Sequence, residues 1–179
     1  MKFTKGTVEK YTFRFEDEDV IEIDKQHICL GGGHAIFMLD TQYFTLSVES
    51  DWGEFCYRWG VSGRETFKDL MLRIGGYYLC DKISSRSVID WKKTKKHAIQ
   101  SFFRYGHCKD KEKIKEFLNE IGNVDENEIR FYDFVISYAP DLWEGGFIEK
   151  DYPLRAKIIV KIFEIYLKSE LLKELQNER

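Results

Sequence analysis

Lys92, Lys93, Lys95, Lys96 and His97 fall within six consecutive residues of a 179-residue chain, and no other six-residue stretch holds as many basic side chains. On a helix Lys92 and Lys96 share one face and Lys93 and His97 the next, so several cations project together from an element that runs on to Arg104. Such a face suits phosphates, because each neutralised phosphate releases counterions and makes affinity salt-dependent. The same residues read equally as a solvated helix face that pairs with acidic residues further along. Other groups with chemical potential are scattered. His27 with Cys29 and His107 with Cys108 carry metal-capable atoms, but adjacent or alternate placement does not offer two ligands to one ion as zinc spacings do. No metal and no cofactor are expected.

Gly31-Gly32-Gly33-His34 lacks both the GxGxxG pattern and a Walker Lys-Ser/Thr pair, and no helix start follows it. It reads as a hairpin or bulge, with His34 an exposed histidine, a general base or a ligand. Ser47, Ser50, Ser62, Ser84, Ser85 and Ser87 lie in no nucleophile-elbow context. A metal-dependent nuclease would need two or three carboxylates to converge on a divalent ion. Asp133, Asp141, Glu144 and Glu149 are the candidates, and a solvated acidic loop is the alternative.

The elements that must position these groups are legible as two periods. Residues 8–15 alternate, with Tyr11, Phe13 and Phe15 on one face; Ile21 and Ile23, residues 27–30 and residues 35–39 give further short strands. Phe44, Leu46 and Val48 then face Phe55, Tyr57 and Trp59 across an Asp51-Trp52-Gly53 turn, an antiparallel hairpin with three rings on one side. This predicts a β-meander whose aromatic face is covered by helices. After Gly63 the period becomes helical. Thr66 caps a helix through Ile74 that Gly75-Gly76 stops, and residues 77–83 carry no clear period. Helices follow from Ser87 to Gly106, from Asp110 to Ile121, from Asn127 to Tyr138, and from Pro153 onward. The last is apolar nearly all round and belongs at the centre of a helical layer. The expected fold class is α+β: an N-terminal antiparallel meander sheet packed against four to five C-terminal helices. Residues 1–179 read as a single domain, 1–62 mainly strands and 63–179 mainly helices.

Net charge is −3, but its distribution is uneven. Residues 82–115 carry eleven basic and three acidic side chains, and residues 116–154 carry two and ten. These are either two surfaces for two partners or two faces that attract each other. The four cysteines show no CxxC spacing and read as buried, reduced thiols of a cytosolic protein. No signal peptide and no membrane span are expected.

The run Asp51-Trp52-Gly53-Glu54-Phe55-Cys56-Tyr57-Arg58-Trp59-Gly60, followed by Thr66-Phe67-Lys68-Asp69-Leu70, resembles a pattern of small accessory proteins of phages and prophages. Across the chain the likeness is greatest to the anti-CRISPR proteins that inhibit type II CRISPR effector nucleases, the type II-A group in particular. The resemblance implies a cytoplasmic inhibitor, acting in the host bacterial cell, whose partners are the effector nuclease and its guide RNA. It supplies no catalytic motif. A DNA mimic would need dense negative charge, which 28 basic residues oppose, whereas loss or truncation of the guide would disable an effector that reads sequence by base pairing. The expectation is therefore inhibition through the guide RNA, with Lys92, Lys93, Lys95, Lys96 and Arg104 as RNA contacts. If this chain itself cleaves RNA, His97 and His107 are the general acid/base candidates, because imidazole titrates near neutrality. The alternatives are direct occlusion of the effector by the acidic 116–154 segment and an unrelated phage nucleotide-processing enzyme.

Overall fold

The structure, a computed structural model, describes residues 7–60, 65–105, 110–142 and 146–177. The alternating segments become strands β1 (Val8–Arg14), β2 (Val20–Ile23), β3 (Gln26–Cys29), β4 (His34–Asp40), β5 (Thr45–Ser50) and β6 (Phe55–Arg58). Four of them form an antiparallel sheet in the order β1-β4-β5-β6. The meander is interrupted: β2 and β3 pair only with each other, as a hairpin inserted between β1 and β4. Its two turn residues, Asp24 and Lys25, both have positive φ, as the tightest hairpin turn requires. The β5–β6 turn is closed by Ser50, whose Oγ donates to the Gly53 carbonyl at 2.7 Å and accepts from the Trp52 N–H at 3.2 Å.

Helices follow: α1 (Phe67–Arg73), α2 (Gly76–Ile83), α3 (Trp91–Tyr105), α4 (Lys111–Glu120), α5 (Glu128–Tyr138), α6 (Leu154–Ile162) and α7 (Lys168–Asn177). Two short strands, β7 (Val88–Ile89) and β8 (Lys150–Asp151), pair with each other. Thus the fold is α+β. The predicted cap is present at α1, where Thr66 and Asp69 form a reciprocal capping box. Between α6 and α7 the backbone stays right-handed helical but widens into one π turn, Phe163–Leu167. Glu164 in that turn accepts the Gly76 N–H at 2.8 Å, placing an anion at the start of α2. A Cβ at Gly76 would stand 2.5 Å from Glu164 Oε1 and 2.8 Å from Val160 Cγ1, so this glycine admits close packing at the first residue of α2.

Two compact units can be distinguished. Residues 1–86 and 152–179 form the first, in which Phe37, Leu39 and Leu46 are fully buried with Phe67, Met71, Ile159 and Phe163. Each such side chain contributes roughly 1.5–3 kcal/mol of burial. The aromatic face of β6 joins this core through Trp59, which packs on Tyr57 and Phe67. Residues 87–151 form the second unit, around Ala98, Phe102, Phe117, Phe131 and Val135. Phe117 stacks on Phe102 at 4.2 Å and on Phe134 at 5.7 Å.

Candidate phosphate-contacting face

Helix α3 is fixed at both its start and its inner face. Asp90 caps it, accepting the Lys93 N–H on Oδ1 at 2.9 Å while its carbonyl accepts the Thr94 N–H at 2.8 Å. Thr94, Ala98, Ser101 and Phe102 are buried. By helical geometry the opposite stripe then carries Lys92, Lys93, Lys96, His97 and Gln100 outward. Strands β7 and β8 bring the far end of the second unit back to this stripe. Thr94 is fully buried, and its hydroxyl accepts the Glu149 N–H at 3.0 Å and faces the Glu149 carbonyl at 3.4 Å. The same carbonyl accepts the Asp90 N–H at 2.9 Å. With its backbone held in this way, Glu149 sets Oε1 2.7 Å from His97 Nδ1.

An ionised carboxylate can only accept, so a neutral His97 carries its proton on Nδ1 and keeps the Nε2 lone pair. That is the arrangement of a base oriented by a third group. Lys93, Lys96, His97, Gln100 and Glu149 line a shallow groove of about 320 Å³. Lys93 is also tied to Asp90 at 2.9 Å and lies 3.8 Å from Asp151. Lys92 and Lys96 are exposed and have no partner among the described residues. The arrangement can hold an anion beside an oriented imidazole.

The other sequence candidates fall elsewhere. Lys95 turns away from the stripe, its ammonium donating to the carbonyls of Gly122 at 2.9 Å and Val124 at 3.5 Å just beyond α4. Arg104 is exposed with its guanidinium 5.3 Å from the Tyr105 ring, and lies seven residues beyond His97 on the same helical stripe. His107, with Cys108, lies outside the described residues, as does Glu144. Asp133 is exposed on α5. Among the described residues no three His, Cys, Asp or Glu side chains gather to hold a metal ion.

The glycine run after β3 is accounted for by packing. Its amides are already used, Gly31 on Cys29 Sγ, Gly32 on the Phe15 carbonyl and Gly33 on the Leu30 carbonyl. A Cβ at Gly33 would stand 2.8 Å from the Trp52 ring. His34 holds Asp51 Oδ2 at 2.8 Å through Nδ1. The carboxylate partners of both histidines were beyond sequence reasoning: Glu149 stands 52 residues from His97 and Asp51 17 residues from His34. Only a contact between elements could reveal either.

No helix among the described residues is long and apolar enough to cross a membrane. No curated protein and no solved structure matches the chain. A family model does match, that of the phage protein family Phage_phiTE_072, over residues 1–173. With nearly the whole length matched, the chain belongs to this phage family.

Proposed function

We propose that this phage protein inhibits a type II CRISPR effector nuclease through its guide RNA, with the outer stripe of α3 as the surface that meets RNA phosphates. The observation that carries the RNA contact is the pair of ammonium groups with no partner among the described residues, Lys92 and Lys96, beside the His97–Glu149 couple on one helix face. Lys93, Lys96 and Arg104 extend the positive charge along that face. Lys95 acts as a brace for the turn after α4 and contributes charge only at a distance. His97, oriented by Glu149, is the group that would take a proton if the chain cuts RNA itself. The choice of effector follows from the resemblance of the chain as a whole to anti-CRISPR proteins, with membership of a phage family in support.

Labelled guide RNA, incubated with the purified chain, with the effector, and with both, tests this directly on a denaturing gel read beside target-DNA cleavage. The expected result is shortened or displaced guide with loss of target cleavage. In the same assay Lys92→Glu with Lys96→Glu restores cleavage. In direct RNA titrations that variant flattens the log–log salt dependence by about 1.4, at about 0.7 per phosphate contact on a single strand. Intact guide with lost cleavage would transfer the reading to occlusion by the acidic 116–154 segment. Normal cleavage throughout would leave only the phage family assignment standing.

A further inference from the structure

Helix α2 exposes two tyrosines that the first unit does not bury. Tyr77 is 69% exposed and Tyr78 42%, although the next two residues, Leu79 and Cys80, are buried and anchor the helix. Each ring carries a cation against it. The Lys82 ammonium lies 5.1 Å from the Tyr78 ring centre and 5.9 Å from that of Tyr57. The Arg86 guanidinium lies 5.5 Å from Tyr77 and 5.3 Å from Tyr152. Tyr77 and Tyr152 meet edge to face at 6.0 Å, and the Tyr152 hydroxyl donates to Asp81 at 2.9 Å. Asp81 is the acid closest in sequence to these cations, and it is engaged by that hydroxyl and by Lys82 at 3.7 Å. Rings and cations are therefore held together at the surface, each tyrosine with a cation over one face of its ring.

Burial does not explain Tyr77, which covers little of the core. Charge and shape indicate what does. Flat apolar faces interleaved with cations match a ligand that alternates flat apolar faces with anions, which is an unpaired polynucleotide strand. A duplex keeps its base faces inside its own stack and cannot use exposed rings, whereas an unpaired strand sets a flat base beside every phosphate, a repeat that a lipid surface or an acidic peptide does not have. We propose that Tyr77 and Tyr78, with Lys82 and Arg86, form a stacking platform for unpaired bases of a single-stranded nucleic acid. The platform deepens the RNA reading of α3 and rests on it only for RNA over DNA, since stacking is indifferent to the sugar.

The test uses the full chain and two labelled 12-mers with equal numbers of phosphates, oligouridylate and an abasic strand, followed by fluorescence anisotropy across a salt series. The wild-type chain is expected to prefer the strand with bases by at least about tenfold. Tyr77→Ala with Tyr78→Ala should erase that preference and leave the salt dependence unchanged, whereas Tyr77→Phe with Tyr78→Phe should keep it, because the ring and not the hydroxyl stacks. Both positions are solvent-facing, and unchanged thermal unfolding of the alanine variant would confirm that its fold is intact. No preference in the wild type, or a preference that survives the alanine variant, overturns the platform. So would an alanine variant that loses affinity for effector protein while binding oligouridylate as before, which would assign the patch to a protein partner. Failure of the α3 reading shows separately, as a salt dependence that Lys92→Glu with Lys96→Glu does not change.

Discussion

His34 and His97 hold a carboxylate in nearly the same way and to different ends. In both, Nδ1 lies against one carboxylate oxygen, at 2.8 Å to Asp51 and 2.7 Å to Glu149, and the rings are 41% and 40% exposed. The difference lies in what else the carboxylate does. Asp51 Oδ2 also accepts the His34 backbone N–H at 2.7 Å, and the Asp51 N–H returns to the His34 carbonyl at 3.3 Å. That closed ring ties the start of β4 to the end of β5 and makes His34 part of a clasp. Glu149 accepts no backbone N–H among the described residues, and its own backbone is pinned from below by Thr94. Its side chain is thus committed to orienting the imidazole, beside Lys93 and Lys96. One arrangement secures a strand end; the other orients an imidazole on an exposed helix stripe.

The two histidines also stand on different cores, which gives the largest way to break the comparison. Phe117 is fully buried and stacked against Phe102 of α3, so Phe117→Ala removes the aromatic backing of the His97 helix. A loss of about 3–5 kcal/mol in the second unit is expected, from transfer plus cavity terms. In long-range imidazole NMR spectra the His97 resonances should move toward those of a free ring while those of His34 stay in place. Movement of both would mean that the two cores do not act as separate supports.

How much of this was legible depends on the distance between cause and effect along the chain. Alternation at Phe55, Tyr57 and Trp59 and the caps at Thr66, Asp110 and Asn127 are local, and the sheet, α1, α4 and α5 follow them closely. Residues 77–83 gave no period because Tyr77 and Tyr78 are exposed and Gly75-Gly76 precedes them; α2 is secured instead by Glu164, 88 residues away in sequence. Strands β2 and β3 were legible at Ile21, Ile23 and residues 27–30, but their pairing with each other outside the four-stranded sheet was not, because alternation marks a strand without naming its partner. At the candidate site the cationic stripe could be read from spacing alone. The diversion of Lys95 and the pairing of His97 could not, since both depend on where the loop after α4 and a two-residue strand come to rest.

A smaller change sharpens the comparison at the Glu149 end. Thr94→Val keeps the shape of the side chain and removes the hydroxyl, leaving the Glu149 N–H without its acceptor. A fully buried unmet donor costs about 1–3 kcal/mol, and this partly buried one should lie toward the lower end, measurable as a shift in the denaturant midpoint. It should be accompanied by loosening of the His97 Nδ1 hydrogen bond, seen as faster exchange of that proton. A destabilised chain whose His97 proton is as protected as before would show that Glu149 is positioned by something other than Thr94.

The smallest effect expected lies at the clasp, and its sign follows from the charge. The His34 backbone N–H, and after it the His34 ring, hold the Asp51 carboxyl below the usual carboxylate range. A carboxylate whose pKa is lower in the folded than in the unfolded chain stabilises the fold above the unfolded pKa, near 4, and loses that contribution as pH falls through the folded value. Asp51→Asn keeps an oxygen for the His34 N–H but loses the charge. Wild type should therefore melt slightly above Asp51→Asn at pH 7, and the gap should close below about pH 4. Glu65 and Glu174 are also held below their usual range, by Arg73 and by Lys68, but they titrate alike in both chains and cancel in the difference. The clasp is exposed, so the gap is small, and its closure with acid is the informative feature. A gap that persists unchanged into acid would mean that the shape of Asp51 and not its charge closes the strand end, and the contrast with Glu149 would then rest on geometry alone.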